Sequence, residues 1–222
     1  MAAWLVDLVL PPHCVACGTY GFWVCDDCRG SLIRLRAPLC ARCGAPTAWP
    51  VSRCVECSGR RLAFASARAA VAYTGATRKI VAAWKQRGLR RVASLAAELV
   101  AQEVPRPAAD VITYIPPDGD RSLKRGHHPA ERLARALALE WGLEVRPLVA
   151  RTRAVDRQAG LSLAARRRNV RGAFRPVTAV RGRVLLVDDV YTTGATVAAA
   201  ATALRAGGAR RIDVVTFARA VR

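Results

Sequence analysis

Short apolar runs alternate along most of the chain with longer segments whose apolar residues recur every three or four positions. The short runs are typical of strands buried on both faces of a parallel sheet, and the periodic segments are typical of helices. Strands are therefore predicted over 67–73, 110–115, 144–149, 183–188 and 211–218. Helices are predicted over 76–87, 91–102, 129–141, 162–168 and 197–205. Strands that alternate with helices predict an α/β fold with a parallel doubly wound sheet.

The first 60 residues lack this alternation and instead contain all eight cysteines, arranged as four C-x-x-C pairs. Each pair directs two thiolates at one ion, and two pairs complete a tetrahedral zinc site. The simplest assignment is two sites in sequence order, with interleaved pairing as the alternative. The first site comprises Cys14, Cys17, Cys25 and Cys28, and the second comprises Cys40, Cys43, Cys54 and Cys57.

Zinc is favoured over the other uses of these cysteines. Disulfides are rare in the cytoplasm, where we expect this chain, and an iron–sulfur cluster is a weaker alternative. The zinc is expected to be structural, because protein ligands fill all four positions of each site. A polar link, Ser58 to Leu62, predicts a zinc-ribbon module over 1–60 and a second domain over 61–222. We expect Phe22, Trp23 and Trp49 to form the small core of the module, and base stacking is the weaker alternative.

The net positive charge of the chain indicates which class of partner it binds. The 222 residues contain 36 lysines and arginines against 16 acidic residues, a net charge of +20, which favours a polyanion such as nucleic acid. Lysine occurs only at positions 79, 85 and 124, so a GC-rich genome is an alternative source of the arginines. No apolar run approaches the roughly 20 residues of a membrane span. The segment Ala2 to Leu10 contains Asp7 and lacks a basic start, so no signal peptide is predicted either.

The predicted strand over 183–188 leads into the densest candidate chemistry of the chain. Asp188 and Asp189 follow four apolar residues, and a hydroxyl-rich turn separates them from the predicted helix. Carboxylates can accept hydrogen bonds from ribose hydroxyls, and backbone N–H groups at a helix N-terminus can hold a phosphate. The turn consists of Thr192, Thr193, Gly194, Ala195 and Thr196. This order predicts a ribose-phosphate site at the carboxyl end of a strand.

Two levels of resemblance follow from these motifs. V-L-L-V-D-D-V-Y-T-T-G-A-T, starting at Val184, resembles the 5-phosphoribosyl-1-pyrophosphate (PRPP) motif of type I phosphoribosyltransferases. The whole chain resembles the ComF (ComFC) family, also described as amidophosphoribosyltransferase-like competence proteins. That resemblance includes the four C-x-x-C pairs, the K-Q-R-G stretch at Lys85 and a Q-x-x-L-x(4)-R-x-x-N pattern at Gln158. It departs after Arg125-Gly126, where His127-His128-Pro129 replaces the family's usual aromatic, Asn and Gln.

The resemblance implies a type I phosphoribosyltransferase fold with an N-terminal zinc-ribbon module, binding PRPP together with magnesium. Asp188 and Asp189 are then expected to position the ribose, and the turn 192–196 to hold the 5-phosphate. The loop 116–126 is expected to bind pyrophosphate through Arg121, Lys124 and Arg125, with Lys124 and Arg125 as catalytic candidates beside the acid pair. The segment 151–161 suits a mobile flap over that site.

The resemblance also implies a role in natural transformation, with single-stranded DNA and the DNA-uptake machinery as partners. The alternative is an active phosphoribosyltransferase, a glycosyltransferase that displaces pyrophosphate from PRPP with a nucleobase or amine. A PRPP-sensing regulator is a third, weaker interpretation. No residues in the sequence identify the acceptor.

Overall fold

The computed structural model describes residues 12–87, 89–117, 127–152, 170 and 172–221, without the side chains of Arg87 and Arg90. Within these ranges the strands are β1 (Ser66–Ala72), β2 (Val111–Tyr114), β3 (Val149–Arg151), β4 (Phe174–Pro176), β5 (Arg183–Tyr191) and β6 (Arg211–Arg219). The helices are α1 (Asp26–Gly30), α2 (Gly75–Arg87), α3 (Arg90–Glu103), α4 (Pro129–Trp141) and α5 (Ala195–Ala206).

Four strands form a parallel sheet in the order β1-β6-β5-β2. The central strands β5 and β6 are the longest, and their register pairs Val187 with Val215 and Tyr191 with Arg219. All four strands therefore end at one edge, which is where open α/β sheets bind ligands. The predicted parallel α/β sheet is confirmed.

The sheet is covered on both faces. In β5, Val184 and Leu186 belong to one buried cluster, and Leu185 and Val187 belong to the other. The first cluster contains α5 and the antiparallel pair β3–β4, whereas the second contains α2, α3 and α4. Alternate residues of one strand face two layers, which is why the apolar run of β5 is continuous rather than alternating with polar residues.

The prediction of a strand over 144–149 is wrong in type and position. Val145 makes a single parallel bridge to Ile112, and the strand begins at Val149, where it pairs antiparallel with β4. Pro147 explains the interruption, because proline has no backbone N–H to donate to a strand ladder. The predicted helix over 162–168 and the flap beyond residue 152 lie outside the described residues.

The cysteine-containing segment packs against the sheet domain at several points. Arg68 on β1 donates to the carbonyl of Ala41 over 3.1 Å, and Ala67 N–H donates to the carbonyl of Arg42 over 2.9 Å. Gly44 has φ +70°, and a Cβ there would lie 2.4 Å from the Ala67 carbonyl oxygen, so only glycine fits this close approach. The domain boundary near residue 60 stays a prediction.

Candidate functional site

The acid pair lies within β5, because this strand continues three residues past the predicted end at Asp188 to Tyr191. Asp189 is 8% exposed and accepts an ion pair from Lys85 on α2, with Lys85 Nζ 2.9 Å from its Oδ1. Burial opposes the charge on Lys85, but the carboxylate of Asp189 outweighs it and raises the pKa of the lysine. The sequence pointed to Lys85 only through the K-Q-R-G stretch of the family resemblance.

The pKa of Asp188 is strongly shifted. Burial and the neighbouring charge of Asp189 raise the pKa of Asp188 to about 7, although Lys85 acts in the opposite direction. The Asp188 carboxylate also accepts the backbone N–H of Asp189 over 2.9 Å. A carboxyl group that titrates near neutral pH beside a fixed ion pair is a typical feature of a functional site.

The hydroxyl-rich turn follows β5 directly and leads into α5. Gly194 is the N-terminal cap of α5 with φ +69°, and the buried Thr193 hydroxyl accepts the N–H of Ala195 over 3.2 Å. Thr192 and Thr196 are only partly buried. The first N–H groups of a helix have no intrahelical acceptor. Together with these threonines they form a site suited to a phosphate dianion.

Two buried residues that sequence reasoning missed lie behind this turn. The Tyr191 side chain is 3% exposed, and the guanidinium carbon of Arg219 lies 4.5 Å from the centre of its ring. Arg219 is 1% exposed and donates to the Cys43 carbonyl and to Glu56, each over 2.7 Å. No local signal in the sequence points to them, because their contact depends on the register of β5 and β6, and the predicted strand stopped at Ala218.

The predicted pyrophosphate loop lies mostly outside the described residues, and with it Arg121, Lys124 and Arg125. The two histidines after the loop contact α2 and β2. His127 Nε2 donates to the Trp84 carbonyl over 2.6 Å, beside Lys85 in the chain. Burial lowers the pKa of His128 to about 4, and its ring lies 5.6 Å from that of Tyr114. His127 therefore holds the end of α2 that presents Lys85 to the acid pair.

The eight cysteines form two separate groups in sequence order, so the predicted non-interleaved pairing is confirmed. In each group the four sulfurs lie within 4.8 Å of one another, and none of the eight is in a disulfide. The Sγ–Sγ distances between Cys17 and Cys25, and between Cys40 and Cys57, are both 3.6 Å. A tetrahedral zinc with bonds of about 2.3 Å separates its sulfurs by about 3.8 Å. The residues therefore fit zinc at both sites.

One thiol of each group is prepared for metal binding by its surroundings. Burial opposes ionisation of Cys14 and Cys40, but nearby backbone N–H donors outweigh it and lower the pKa of each thiol to about 6. Gly18 and Gly44 follow the first and third pairs with φ +88° and +70°, as expected for tight knuckle turns. These groups are two four-cysteine zinc-binding sites.

The aromatic side chains of this segment do not form the predicted core. Phe22 is 50% exposed and Trp49 is 68% exposed, as is Tyr20 on the first knuckle. Trp23 is only partly buried. The segment is too small to form a core of its own, so its few buried residues pack into the two clusters of the sheet domain. The prediction of an aromatic core was therefore wrong for Phe22 and Trp49.

The family model of the double zinc ribbon domain matches residues 5–59. The chain is 30% identical to DNA utilization protein YhgH of Salmonella typhi, over 93% of this chain and 96% of that protein. It is 31% identical to Competence protein F of Haemophilus influenzae, over 62% of each chain. Among solved structures it is similar to glutamine PRPP amidotransferase from B. subtilis, with 27% identity, a TM-score of 0.37 and coverage of 57% of this chain and 25% of that one. Across the described part of the chain, no helix has the length and apolar character to cross a membrane.

Proposed function

The chain belongs to the ComF family of competence-related, phosphoribosyltransferase-like proteins, and from this premise we propose that it binds magnesium-PRPP and single-stranded DNA. Its fold is the type I phosphoribosyltransferase fold with an N-terminal zinc-ribbon module. The observation that carries the PRPP proposal is the acid pair of β5, followed at once by the phosphate-sized turn at the start of α5. We infer that PRPP occupies this edge of the sheet.

We assign the parts of PRPP to the acid pair, to the turn 192–196 and to the loop 116–126. Asp188 and Asp189 accept hydrogen bonds from the ribose hydroxyls, and the turn with Thr192 and Thr196 holds the 5-phosphate. A bound magnesium ion would neutralise the pyrophosphate. Lys85 pairs with Asp189 over 2.9 Å, so a cation lies beside the proposed site. The loop 116–126, with Lys124 and Arg125, is our proposed site for the pyrophosphate.

Calorimetric titration of magnesium-PRPP into the zinc-loaded protein tests this proposal. We expect Asp188→Asn/Asp189→Asn to weaken binding by about 100-fold or more, because each carboxylate hydrogen bond contributes about 1.5–3 kcal/mol. Asp110→Asn is the matched control. Asp110 pairs with Arg183 at the opposite end of β5, at 2.8 Å, and its loss should leave the affinity unchanged. No binding by the wild-type protein, or equal binding by the acid-pair variant, would reject the PRPP site.

The zinc-ribbon module supplies the surface for DNA in this proposal. Tyr20, Phe22 and Trp49 expose half or more of their side chains on a chain of net charge +20. Aromatic faces hold unstacked bases, while arginines attract the phosphates along the strand. The names of the relatives, DNA utilization protein and Competence protein F, support nucleic acid as the polyanion.

Fluorescence anisotropy with a labelled oligonucleotide tests the DNA surface. The double variant Phe22→Ala/Trp49→Ala is expected to weaken binding by about tenfold or more, since stacking contributes about 1–3 kcal/mol per base. Leu139→Ala is the control, because Leu139 is 88% exposed on α4, outside the module. Equal affinities of the double variant and wild type would remove the aromatic surface from the proposal.

A further inference from the structure

Arg219 joins the second zinc site to the end of the central strand β6. Its Nη1 donates to the Cys43 carbonyl over 2.7 Å, and its Nη2 lies 3.8 Å from the Cys43 sulfur. Nη2 also pairs with Glu56 over 2.7 Å, two positions after the zinc ligand Cys54. The side chain of Arg219 is 1% exposed. Both ends of the second cysteine group therefore hold this guanidinium.

The same guanidinium also connects the second zinc site to the turn 192–196, called the phosphate turn below. It lies 4.5 Å from the ring centre of Tyr191, its register partner on β5. A Cβ at Gly194 would lie 2.1 Å from the Tyr191 hydroxyl oxygen and 2.4 Å from Cζ, so the phenol packs directly beneath the turn. Burial raises the pKa of this phenol, and the neighbouring Arg219 guanidinium acts in the opposite direction. The packing of the ring against Gly194 therefore supports the turn.

We propose that Arg219 and Tyr191 are positioning residues through which the second zinc site fixes the conformation of the phosphate turn. When four thiolates surround zinc, the centre carries a net negative charge that Arg219 offsets. An intact knuckle holds Arg219 over Tyr191, and Tyr191 holds Gly194 at φ +69°. Loss of this zinc releases Arg219 and lets the turn lose the arrangement of its N–H groups. The proposal concerns the same site as the proposed PRPP function and rests on it for its consequence in binding.

The first zinc site lacks a comparable connection within the described residues. Its ties to the sheet domain run from Ala16, whose carbonyl accepts Lys79 Nζ over 2.8 Å, and from Arg29, which pairs with Glu98 on α3. Neither reaches the turn 192–196. This difference provides an internal control, since the effect on the turn should be specific to one of the two metal sites.

Hydrogen–deuterium exchange of the ligand-free, zinc-loaded protein tests the connection without PRPP. We expect Arg219→Lys to raise exchange over 192–198 by about tenfold while two zinc ions stay bound, because lysine cannot span Cys43, Glu56 and the Tyr191 ring together. Glu56→Gln is a milder second variant, because Glu56 is 22% exposed at the outer end of the contact. Arg36→Ala, which removes a 76% exposed arginine paired with Glu103, is the control.

A second comparison separates positioning from ordinary burial. Tyr191→Phe keeps the ring and is expected to retain slow exchange over 192–198, whereas Tyr191→Leu is expected to lose it. Exchange over 192–198 within twofold of wild type in Arg219→Lys and in Tyr191→Leu would overturn the proposal. So would an equal rise over the whole of β5 and β6, because that result shows general destabilisation.

The binding consequence is measured separately, by calorimetry with magnesium-PRPP. Arg219→Lys is expected to weaken binding by about tenfold at full zinc content, and Tyr191→Phe to leave it within about twofold. If the wild-type protein binds no PRPP, the proposed function fails while the exchange experiment still decides the connection. If wild type binds and Arg219→Lys binds equally, the positioning role is rejected.

Discussion

The two zinc sites have the same ligands and nearly the same spacing, but they are attached to the sheet domain in different ways. Cys14 and Cys25 of the first site pack in the cluster that contains Trp84, on the face of the sheet that α2, α3 and α4 cover. Cys40 and Cys57 of the second site pack in the cluster of α5, on the opposite face. The polar ties differ more, because Arg29–Glu98 lies at the surface whereas Arg219–Glu56 is largely buried. One site packs against the outside of a helix layer, and the other packs beside the edge of the sheet where we propose that PRPP binds.

Removing one zinc at a time gives the largest expected difference between the two sites. Cys43→Ser is expected to lower magnesium-PRPP affinity by at least about tenfold, because it releases Arg219 from the knuckle. Cys17→Ser is expected to change that affinity by no more than about twofold. Metal analysis should find one zinc per chain in each variant, and calorimetry measures the affinities. Equal losses in the two variants would show that the sites support the turn alike.

The free energy of unfolding should depend on the Arg219–Glu56 contact more than on the Arg29–Glu98 pair. Arg219→Ala leaves Glu56 and the Cys43 carbonyl without their buried partner and is expected to lower the free energy of unfolding by about 3 kcal/mol. Arg29→Ala removes an exposed pair and is expected to cost less than about 1 kcal/mol. Denaturant titration followed by circular dichroism measures both. A cost for Arg29→Ala as large as that for Arg219→Ala would contradict the difference between the ties.

The pH dependence of binding tests the acid pair apart from both zinc sites. Because the pKa of Asp188 is raised to about 7, the carboxyl group holds a proton below that pH and loses an acceptor for ribose. Affinity for magnesium-PRPP should therefore rise by about tenfold between about pH 6 and pH 8. Titration across this range measures the rise, which Asp188→Asn should remove and Cys17→Ser should keep. A rise that persists in Asp188→Asn would assign it to another group.

The smallest expected effects concern which knuckle contacts DNA. Phe22→Ala on the first and Trp49→Ala on the second remove exposed side chains, so each should change the free energy of unfolding by less than about 0.5 kcal/mol. Anisotropy with single-stranded DNA should show a loss for each variant if the strand crosses both knuckles. A loss confined to one variant would restrict the DNA to that knuckle.

Local patterns were enough to predict most of this molecule. The spacing of the cysteines identified both zinc sites and their sequence-order pairing, because each knuckle is complete within a short segment. The motifs of the acid pair and the turn are equally local, because they lie within 188–196. Helix α4 begins and ends where its apolar period and Gly142 indicate. These predictions rest on signals from neighbouring residues, although the strand over 144–149 shows that a local pattern can also mislead.

The missed features depend on contacts between distant residues. Arg219 faces Tyr191 only because β5 and β6 are paired in one register, and it reaches Cys43 across 176 positions. The pairing of Lys85 with Asp189 similarly requires α2 to lie against the end of β5. None of these relations has a period or a motif along the chain.

The order of the strands has a consequence for how the protein is made on the ribosome. Both zinc sites are complete by Cys57, before any of the four described sheet strands has been synthesised, whereas β1 has its register partner in β6, near Asp213. The cysteine groups are therefore available for zinc as the nascent chain emerges, and β1 waits for β6 before it can pair. Arg219 arrives with β6, so the buried contact to Cys43 closes only after that strand is in place. A chain released before Arg219 would carry its zinc but lack the contact that supports the turn 192–196.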